Sequence, residues 1–520
     1  MAAAGVGCLL LAAWDVRWLW PLVLIVPALA VGVWDVVQPE HAVLRNHPIV
    51  GHFRYLIEDL GPELHQYFVE SNTDGEPFDR DQRSKAYQRA KGALDEKPFG
   101  TEIDVYGEGY VWLSHSIRAK EPQREAAKEL RVRIGGERCT APYSASLLNV
   151  SAMSFGSLGA AAVRTLNEGA RLGGFAHDTG EGGISVHHRE PGGDLIWQIG
   201  SGYFGCRRAD GGFDADRFAE QARGAQVKMV EVKLSQGAKP GHGGILPGRK
   251  VTSEIAAARG VPVGTTCISP PAHGAFTTPV GLLEFLEQLR ELAGGKPVGF
   301  KLCVGSPVEY LGIVKAMHET GLVPDFVVID GGEGGTGAGP IELTDHGGMP
   351  LREGLTFAHR ALVGAGVRDR IKLGASAKLL TGFDIAIALA LGADWANNAR
   401  GFMFALGCIQ AQRCHTNQCP VGITTHDRWL QRGLVVGEKA ERVRRFHHET
   451  VDALAQIAAA AGLASAHDFR PELFYQRFGP ADVRPLDAVY PPIEPEALLE
   501  GRAPETLQTL WAQADARSFG

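Results

Sequence analysis

Six times between residues 147 and 401 a short apolar run breaks into glycine or small polar residues and gives way to a segment of helical spacing. The runs are LLNVSAMSFGS, VKMVEVKLSQG, PVGFKLCVGS, DFVVIDGGEGG, RIKLGAS and DWANNARG. Short apolar runs flanked by helices are strands covered on both faces, the condition of a parallel sheet with helical crossovers. Eight such units close a barrel. The pattern therefore predicts an α/β chain built on a (β/α)8 barrel of TIM type, with its chemistry in the loops that follow the strands. The 520 residues accommodate one large barrel with terminal extensions. We expect an apolar N-terminal segment at 1–37, a lead-in region packing on the barrel at 38–140, the barrel with its cysteine-bearing loop at 141–425, and a C-terminal helical extension at 426–520. Arg428 to Leu463 reads as helices outside the barrel, and no repeat of domain-building length is visible.

A net charge of -7 with no basic run excludes nucleic acid as a partner. Glycine, 66 residues in all, concentrates between about 150 and 410, as backbone approaching a phosphate-bearing cofactor requires, although tight turns alone would also account for it. Cys8, Cys139, Cys206, Cys267 and Cys303 stand singly in apolar contexts, as reduced core thiols do. From Trp18 to Trp34 the sequence WLWPLVLIVPALAVGVW has no charge and a Trp at each end, near the about 20 residues that cross a bilayer. This predicts a transmembrane helix, with a second apolar run from Val6 to Trp14 leaving a hairpin open. A cleaved signal peptide competes, since Ala28, Ala30 and Gly32 resemble a cleavage site. His41, Arg45, His47 and Arg54 follow the span, and thiol chemistry needs reducing surroundings, so the expectation is a membrane anchor with the catalytic domain in the cytoplasm.

Cys408, Cys414 and Cys419 form a C-x5-C-x4-C array in GCIQAQRCHTNQCPVG. Three thiolates from one short loop can hold three irons, so a 3Fe-4S cluster is the economical reading. Structural zinc wants a fourth ligand, and His415, adjacent to Cys414, points awkwardly for the same metal.

In order along the chain, SAMSFGSLG, DTGEGG, QGAKPGHGGILPGRKV, CISPP, GGTGAGP and the cysteine array resemble the FMN-binding synthase domain of glutamate synthases, over roughly 145 to 465. The anchor and lead-in are similar to shorter, stand-alone members. The resemblance implies FMN and an iron-sulfur cluster as cofactors, and reductive amination of 2-oxoglutarate, through 2-iminoglutarate, to L-glutamate. Ser151, Ala152, Met153 and Ser154 match the family's flavin-edge segment, and Gln198 and Ser201 are further implied flavin contacts. Lys301, near a strand end, would stabilise negative charge at flavin N1 and O2. Gly332, Gly334 and Gly335, with Gly374, Ala375, Ser376, Asn398 and Arg400, fall in late barrel loops that commonly hold phosphate. The glycines of GGEGGTGAG lack the following βαβ unit and acid of a dinucleotide fingerprint, so no NAD(P) domain is read here. Arg259 and Lys239 match positions that would pair with the two carboxylates of the 2-oxo acid. Glu181, with Lys239 the implied catalytic pair, would manage protons as ammonia adds. A structural ion pair is the alternative for all three. Electrons would pass through the cluster from ferredoxin or a separate NAD(P)H-oxidising subunit.

Three positions depart from the family pattern: Ile245 replaces a Gln after KPGxGG, His242 replaces an acid in that loop, and Tyr203 replaces the Arg of SGRFG. Losing a polar contact shifts the choice of 2-oxo acid. The chain begins MAAAG without a cysteine nucleophile, and no β-helix-sized domain follows the cysteine loop, so ammonia from glutamine would need a separate glutaminase. Two rival readings follow: a flavin oxidoreductase or amine-linked synthase acting on another 2-oxo acid, and a membrane electron-relay flavoprotein that does not aminate. Glu181, Lys239 and Arg259 argue against the relay, which needs no dicarboxylate pocket.

Overall fold

The structure is a computed structural model that describes residues 2–93, 96–123 and 125–520. Its chain divides into two compact units, Met1–Arg80 and Asp81–Gly520.

The second unit is organised by eight parallel strands: β1 Leu148–Val150, β2 His177–Asp178, β3 Leu195–Ile199, β4 Val227–Lys233, β5 Val298–Leu302, β6 Phe326–Asp330, β7 Lys372–Ser376 and β8 Trp395–Asn398. Each pairs with its neighbours in chain order, and β8 pairs back to β1, closing the barrel. The predicted fold class is thus present. The six apolar runs supply β1, β4, β5, β6, β7 and β8. Strand β2 is only His177–Asp178, too short and polar to show as an apolar run. Strand β3 is fully buried, but only a four-residue helix, Val186–Arg189, stands between β2 and β3, which compresses the expected spacing.

The crossovers form for local reasons that agree with the sheet. Helix Pro279–Leu292 has Pro at its first position and a Thr278 hydroxyl accepting from Gly281 N, while Ser306 caps Pro307–Thr320 by accepting from Glu309 N. Helix Gly382–Ala390 opens on a Thr381–Asp384 capping box. The barrel wall is packed by large side chains such as Phe300, Phe326 and Trp395, all but sealed from solvent. Gly374 in β7 makes that packing work, because a Cβ there would lie 2.5 Å from the Trp395 ring. The connection from β4 to β5 is the longest. It carries an antiparallel pair of Ile245–Leu246 and Cys267–Ile268 with helix Ser253–Arg259 between them, then helix Pro279–Leu292.

Helix Val436–Ala460 covers helix Ala160–Gly173 outside the barrel, with His447 stacked 4.0 Å from Phe175 and its Nε2 2.8 Å from Ser146 Oγ. The C-terminal segment is not helical throughout. Strands Phe474–Arg477 and Val483–Pro485 join Val111–Leu113 of the lead-in region in a three-stranded antiparallel sheet.

The N-terminal unit holds helices Ala2–Ala12, Leu22–Val37, Ala42–Asn46 and Gly51–Leu64. Its stretch Val16–Val37, 22 residues of mean hydropathy 2.0, is long and apolar enough to cross a membrane. Near the end of that stretch the buried Asp35 carboxylate accepts Ile49 N at 2.8 Å and stands 2.9 Å from His52 Nε2, which fixes the turn leading into the helix Gly51–Leu64.

Candidate active site

Glu181 lies in the loop after β2, and Lys233 is the last residue of β4. Lys233 Nζ donates to Glu181 Oε1 at 2.9 Å and to Gln236 Oε1 at 2.6 Å. Two glycines leave room for this carboxylate: a Cβ on Gly244 would sit 2.9 Å from Glu181 Oε1, and one on Gly200 would collide with Oε2. Gly180, at φ +64, brings the same loop against Ser154, where a Cβ would lie 2.6 Å from Ser154 N. Burial pushes the Glu181 carboxyl up, but Lys233, then Lys239 and Arg259, outweigh it and hold the group below its ordinary range. Burial and the like charge of Lys233 depress Lys239, with Glu181 pulling the other way. Arg259 is buried 4.8 Å from the centre of the Phe204 ring, its Nη2 donates to Phe155 O at 3.3 Å, and its Nε meets no acceptor among the described residues. Structure therefore brings Glu181, Lys239 and Arg259 into one electrostatic corner. Lys233 is the member that sequence reasoning missed, although a lysine closing a barrel strand is the signal that singled out Lys301.

Five consecutive strands turn one polar side chain each into the buried interior: Asp178, Gln198, Glu231, Lys301 and Asp330. Gln198 Nε2 donates to Glu231 Oε1 at 2.7 Å, and Lys301 Nζ stands 3.6 Å from Asp330 Oδ2. Burial lowers Lys301, but Asp330, Glu231 and Asp178 together hold it above the ordinary lysine range. Gln198 and Lys301, both implied flavin contacts, are buried on β3 and β5.

At the other side of the mouth, Ser151 Oγ is 3.2 Å from Ser376 Oγ, and Ser151 N donates to Asn398 O at 3.0 Å. Several of the implied cofactor contacts also hold the protein's own structure together. Gly332 N donates to Met349 O, Gly334 N to Gly331 O, and Gly374 serves Trp395. The Asn398 amide spans Leu379 O and Gly401 N, and the Ser201 hydroxyl donates to Pro270 O. Ala375 is a wholly buried strand residue, and Ala152, Met153 and Ser154 line the loop after β1. Arg400 is half-buried against Gly335 and donates to Glu333 O at 2.9 Å; partial burial brings it down to about 10, against the pull of Asp330 and Glu333, so it stays charged. A small-residue segment, an interior lysine and a half-buried guanidinium beside a glycine loop are donors of the kind that hold a flavin mononucleotide, so these residues fit that group.

Tyr203, the first departure from the family pattern, is buried. Its hydroxyl accepts Ala275 N at 3.0 Å and lies 3.2 Å from His273 Nδ1, while His273 Nε2 stands 2.9 Å from Lys233 O. Tyr203 thus ties the 270–276 loop to the loop after β3, while His273 ties it to the strand that ends in Lys233. His242 and Ile245 are exposed, Ile245 opposite Ile268 on the antiparallel pair.

Cys408, Cys414 and Cys419 are free thiols in one loop. Burial raises Cys408 to about 12, with Cys414 and Cys419 contributing, so the sulfurs stand within electrostatic range of one another. Lys250 is buried beside them and donates to Cys414 O and Thr424 O, each at 3.2 Å. Among the described residues no three His, Cys, Asp or Glu side chains form a group that could hold a metal ion. The thiols and buried ammonium suit an anionic cluster chemically, while the ligand geometry of one is not displayed.

A family profile described as a conserved region in glutamate synthase matches residues 116–464. The glutamate synthase large subunit-like protein YerD of Bacillus subtilis is 39% identical over 476 residues, covering 84% of this chain and 90% of that protein. An archaeal-type glutamate synthase [NADPH] of Thermotoga neapolitana is 33% identical, covering 62% of this chain and 60% of its own length. The glutamate synthase [NADPH] large chain of Azospirillum brasilense is 34% identical, over 62% of this chain but 21% of that protein. A solved mandelate oxidase mutant covers 82% of the chain at 15% identity and a TM-score of 0.38, too loose a likeness to bear on function. With the profile spanning most of the barrel unit and YerD alike over nearly its whole length, the chain belongs to the glutamate synthase family.

Proposed function

We propose that this chain is a glutamate synthase-type oxidoreductase that reductively aminates a 2-oxo acid, with 2-oxoglutarate and ammonia giving L-glutamate. The observation that carries this reading is the convergence of Glu181 with Lys233, Lys239 and Arg259 at the ends of barrel strands and their following loops. Arg259, whose Nε lacks an acceptor, binds one substrate carboxylate, and Lys239 binds the other. Because Lys233 occupies Glu181 Oε1, Oε2 is the atom free to take a proton as ammonia adds to the ketone. Lys239, with its depressed proton affinity, returns one to the departing hydroxyl, so that ketone and ammonia become imine and water. Ser151 to Ser154, Gln198, Lys301 and Arg400 would hold FMN, which when bound supplies the two electrons that turn the imine into an amine. Cys408, Cys414 and Cys419 would hold a 3Fe-4S cluster, which supplies electrons singly from ferredoxin or a separate NAD(P)H-oxidising subunit.

The chain spans about three-fifths of the archaeal-type relative and about a fifth of the large chain. We also propose that Val16–Val37 anchors the protein in a membrane, with the barrel in the cytoplasm. Tyr203 and Ile245 favour a second reading, in which the same chemistry serves another 2-oxo acid or an amine. Lys239→Ala and Glu181→Gln should each abolish turnover while flavin content stays at the wild-type level. Full turnover in either variant would remove that residue from the mechanism.

A further inference from the structure

The polar interior of the barrel contains more acid than base. Asp178, Glu231 and Asp330 stand on β2, β4 and β6, while Lys301 on β5 and Arg400 after β8 are the cations that face them. Glu333, which also faces Arg400, is answered by the helix it caps, since its carboxylate accepts Leu351 N at 3.0 Å. His177 adds no charge, because burial pushes it down to about 3. Three ionised carboxylates against two cations would leave one uncompensated anion among side chains that, apart from the half-buried Arg400, are nearly withdrawn from solvent, at a large desolvation cost.

Hydrogen bonds show where the imbalance resolves. Asp330 Oδ2 accepts Gly237 N at 2.9 Å and pairs with Lys301. Glu231 Oε1 accepts Gln198 Nε2 at 2.7 Å, and Asp178 Oδ1 accepts Gly180 N at 2.9 Å. One oxygen of Asp178 and one of Glu231 therefore remain, on two buried side chains that stand on alternate strands of the barrel, β2 and β4, as members of one interior layer do. We propose that Asp178 and Glu231 hold a single proton between Asp178 Oδ2 and Glu231 Oε2 at neutral pH, leaving two anions against Lys301 and Arg400 and an interior without net charge. Asp178 is then a positioning residue that acts through Glu231 to keep the Lys301 ammonium available to an anionic ligand. Burial and the charge of Glu231 indeed push Asp178 well above the ordinary carboxyl range, and Glu231 is raised as well, by burial first. The consequence for Lys301 rests on the flavin reading under Proposed function, but the proton itself does not.

The test uses the purified full-length protein and two readouts that need no turnover. Infrared spectroscopy at about pH 7 should show a protonated carboxyl C=O band that is lost in Asp178→Asn and kept in Glu181→Gln, whose carboxylate lies outside this group and is held ionised by Lys233. If the wild type has no such band, or Asp178→Asn retains it in full, the proposal is overturned. The second readout is apparent melting temperature against pH. A carboxyl raised on folding makes the native state bind more protons above the reference value of 3.8, so its contribution falls as pH climbs from there through the folded value. The wild type should therefore lose ground to Asp178→Asn as pH rises, and parallel curves would overturn the proposal. Glu231→Gln breaks the same pair from the other side and must lose the same band should Asp178→Asn fail to fold. Failure to form glutamate would sink the synthase reading and leave the band untouched, whereas loss of the band alone would sink only the shared proton.

Discussion

Replacing Lys301 by Met tests the electrostatics of the barrel interior most sharply. Methionine keeps the length and apolar stem of the side chain, so the change removes a charge with little change in packing. A unit pair at the observed 3.6 Å is worth about 4–5 kcal/mol at an effective dielectric of about 20. The cost has a ceiling, since a stranded carboxyl takes a proton instead, and near pH 7 that costs about 4 kcal/mol for a group of reference affinity. The expected destabilisation is therefore about 3–4 kcal/mol, within the range for breaking a buried pair. With an unfolding entropy of about 2.1 cal/mol/K per residue over the roughly 440 residues of the unit Asp81–Gly520, the apparent midpoint should drop by about 4 °C. The pH dependence fixes the sign. Lys301 has its proton affinity raised on folding, so its contribution is fully present below the reference value of 10.5 and disappears as pH rises through the folded value. Below about pH 5 the stranded acids are nearer protonation, and the deficit of the variant should shrink. Thermal unfolding followed by circular dichroism at about pH 7 and about pH 5 reads both effects. A midpoint within about 1 °C of wild type at pH 7, or a deficit that grows on acidification, would refute the reasoning.

Gly200→Ala places a Cβ against Glu181 Oε2, so it should cut turnover at least about tenfold while leaving the melting temperature nearly unchanged; unchanged kcat would show that this carboxylate is not held there for catalysis. Tyr203→Phe strands Ala275 N and His273 and should lower stability by about 1–3 kcal/mol in denaturant unfolding, with a loss below about 0.5 kcal/mol contradicting a locking role for the hydroxyl. Cys414→Ser should lose iron and acid-labile sulfide with flavin content unchanged, and a variant with full iron content would remove the loop as cluster site.

The barrel was legible where strands are apolar and bounded by glycine, as in DFVVIDGG and PVGFKL, because burial on both faces leaves a continuous hydrophobic signature. It was illegible at His177–Asp178, where two polar residues complete the sheet because their neighbours supply the ladder. The site shows the same division. Glu181 and Lys239 stood in recognisable loops and Arg259 at the end of a helix, but Lys233, Asp178, Glu231 and Asp330 are strand residues. A polar side chain in a strand reads the same whether it points to solvent or into a barrel, and only closure tells the two apart. Gly374 looked like part of a phosphate loop, whereas its lack of a side chain answers the Trp395 ring on the adjoining strand. Tyr203 looked like a change of pocket, and the structure shows that its hydroxyl also holds the 270–276 loop in place.

The central claim is that this barrel reduces the imine of a 2-oxo acid. It is tested most directly by reducing the purified protein without oxygen, adding 2-oxoglutarate and ammonium, and following flavin reoxidation together with glutamate. Reoxidation with stoichiometric glutamate is the predicted result. A reduced flavin that ignores both substrates would contradict the claim, leaving the barrel and its family standing and moving the activity to another substrate.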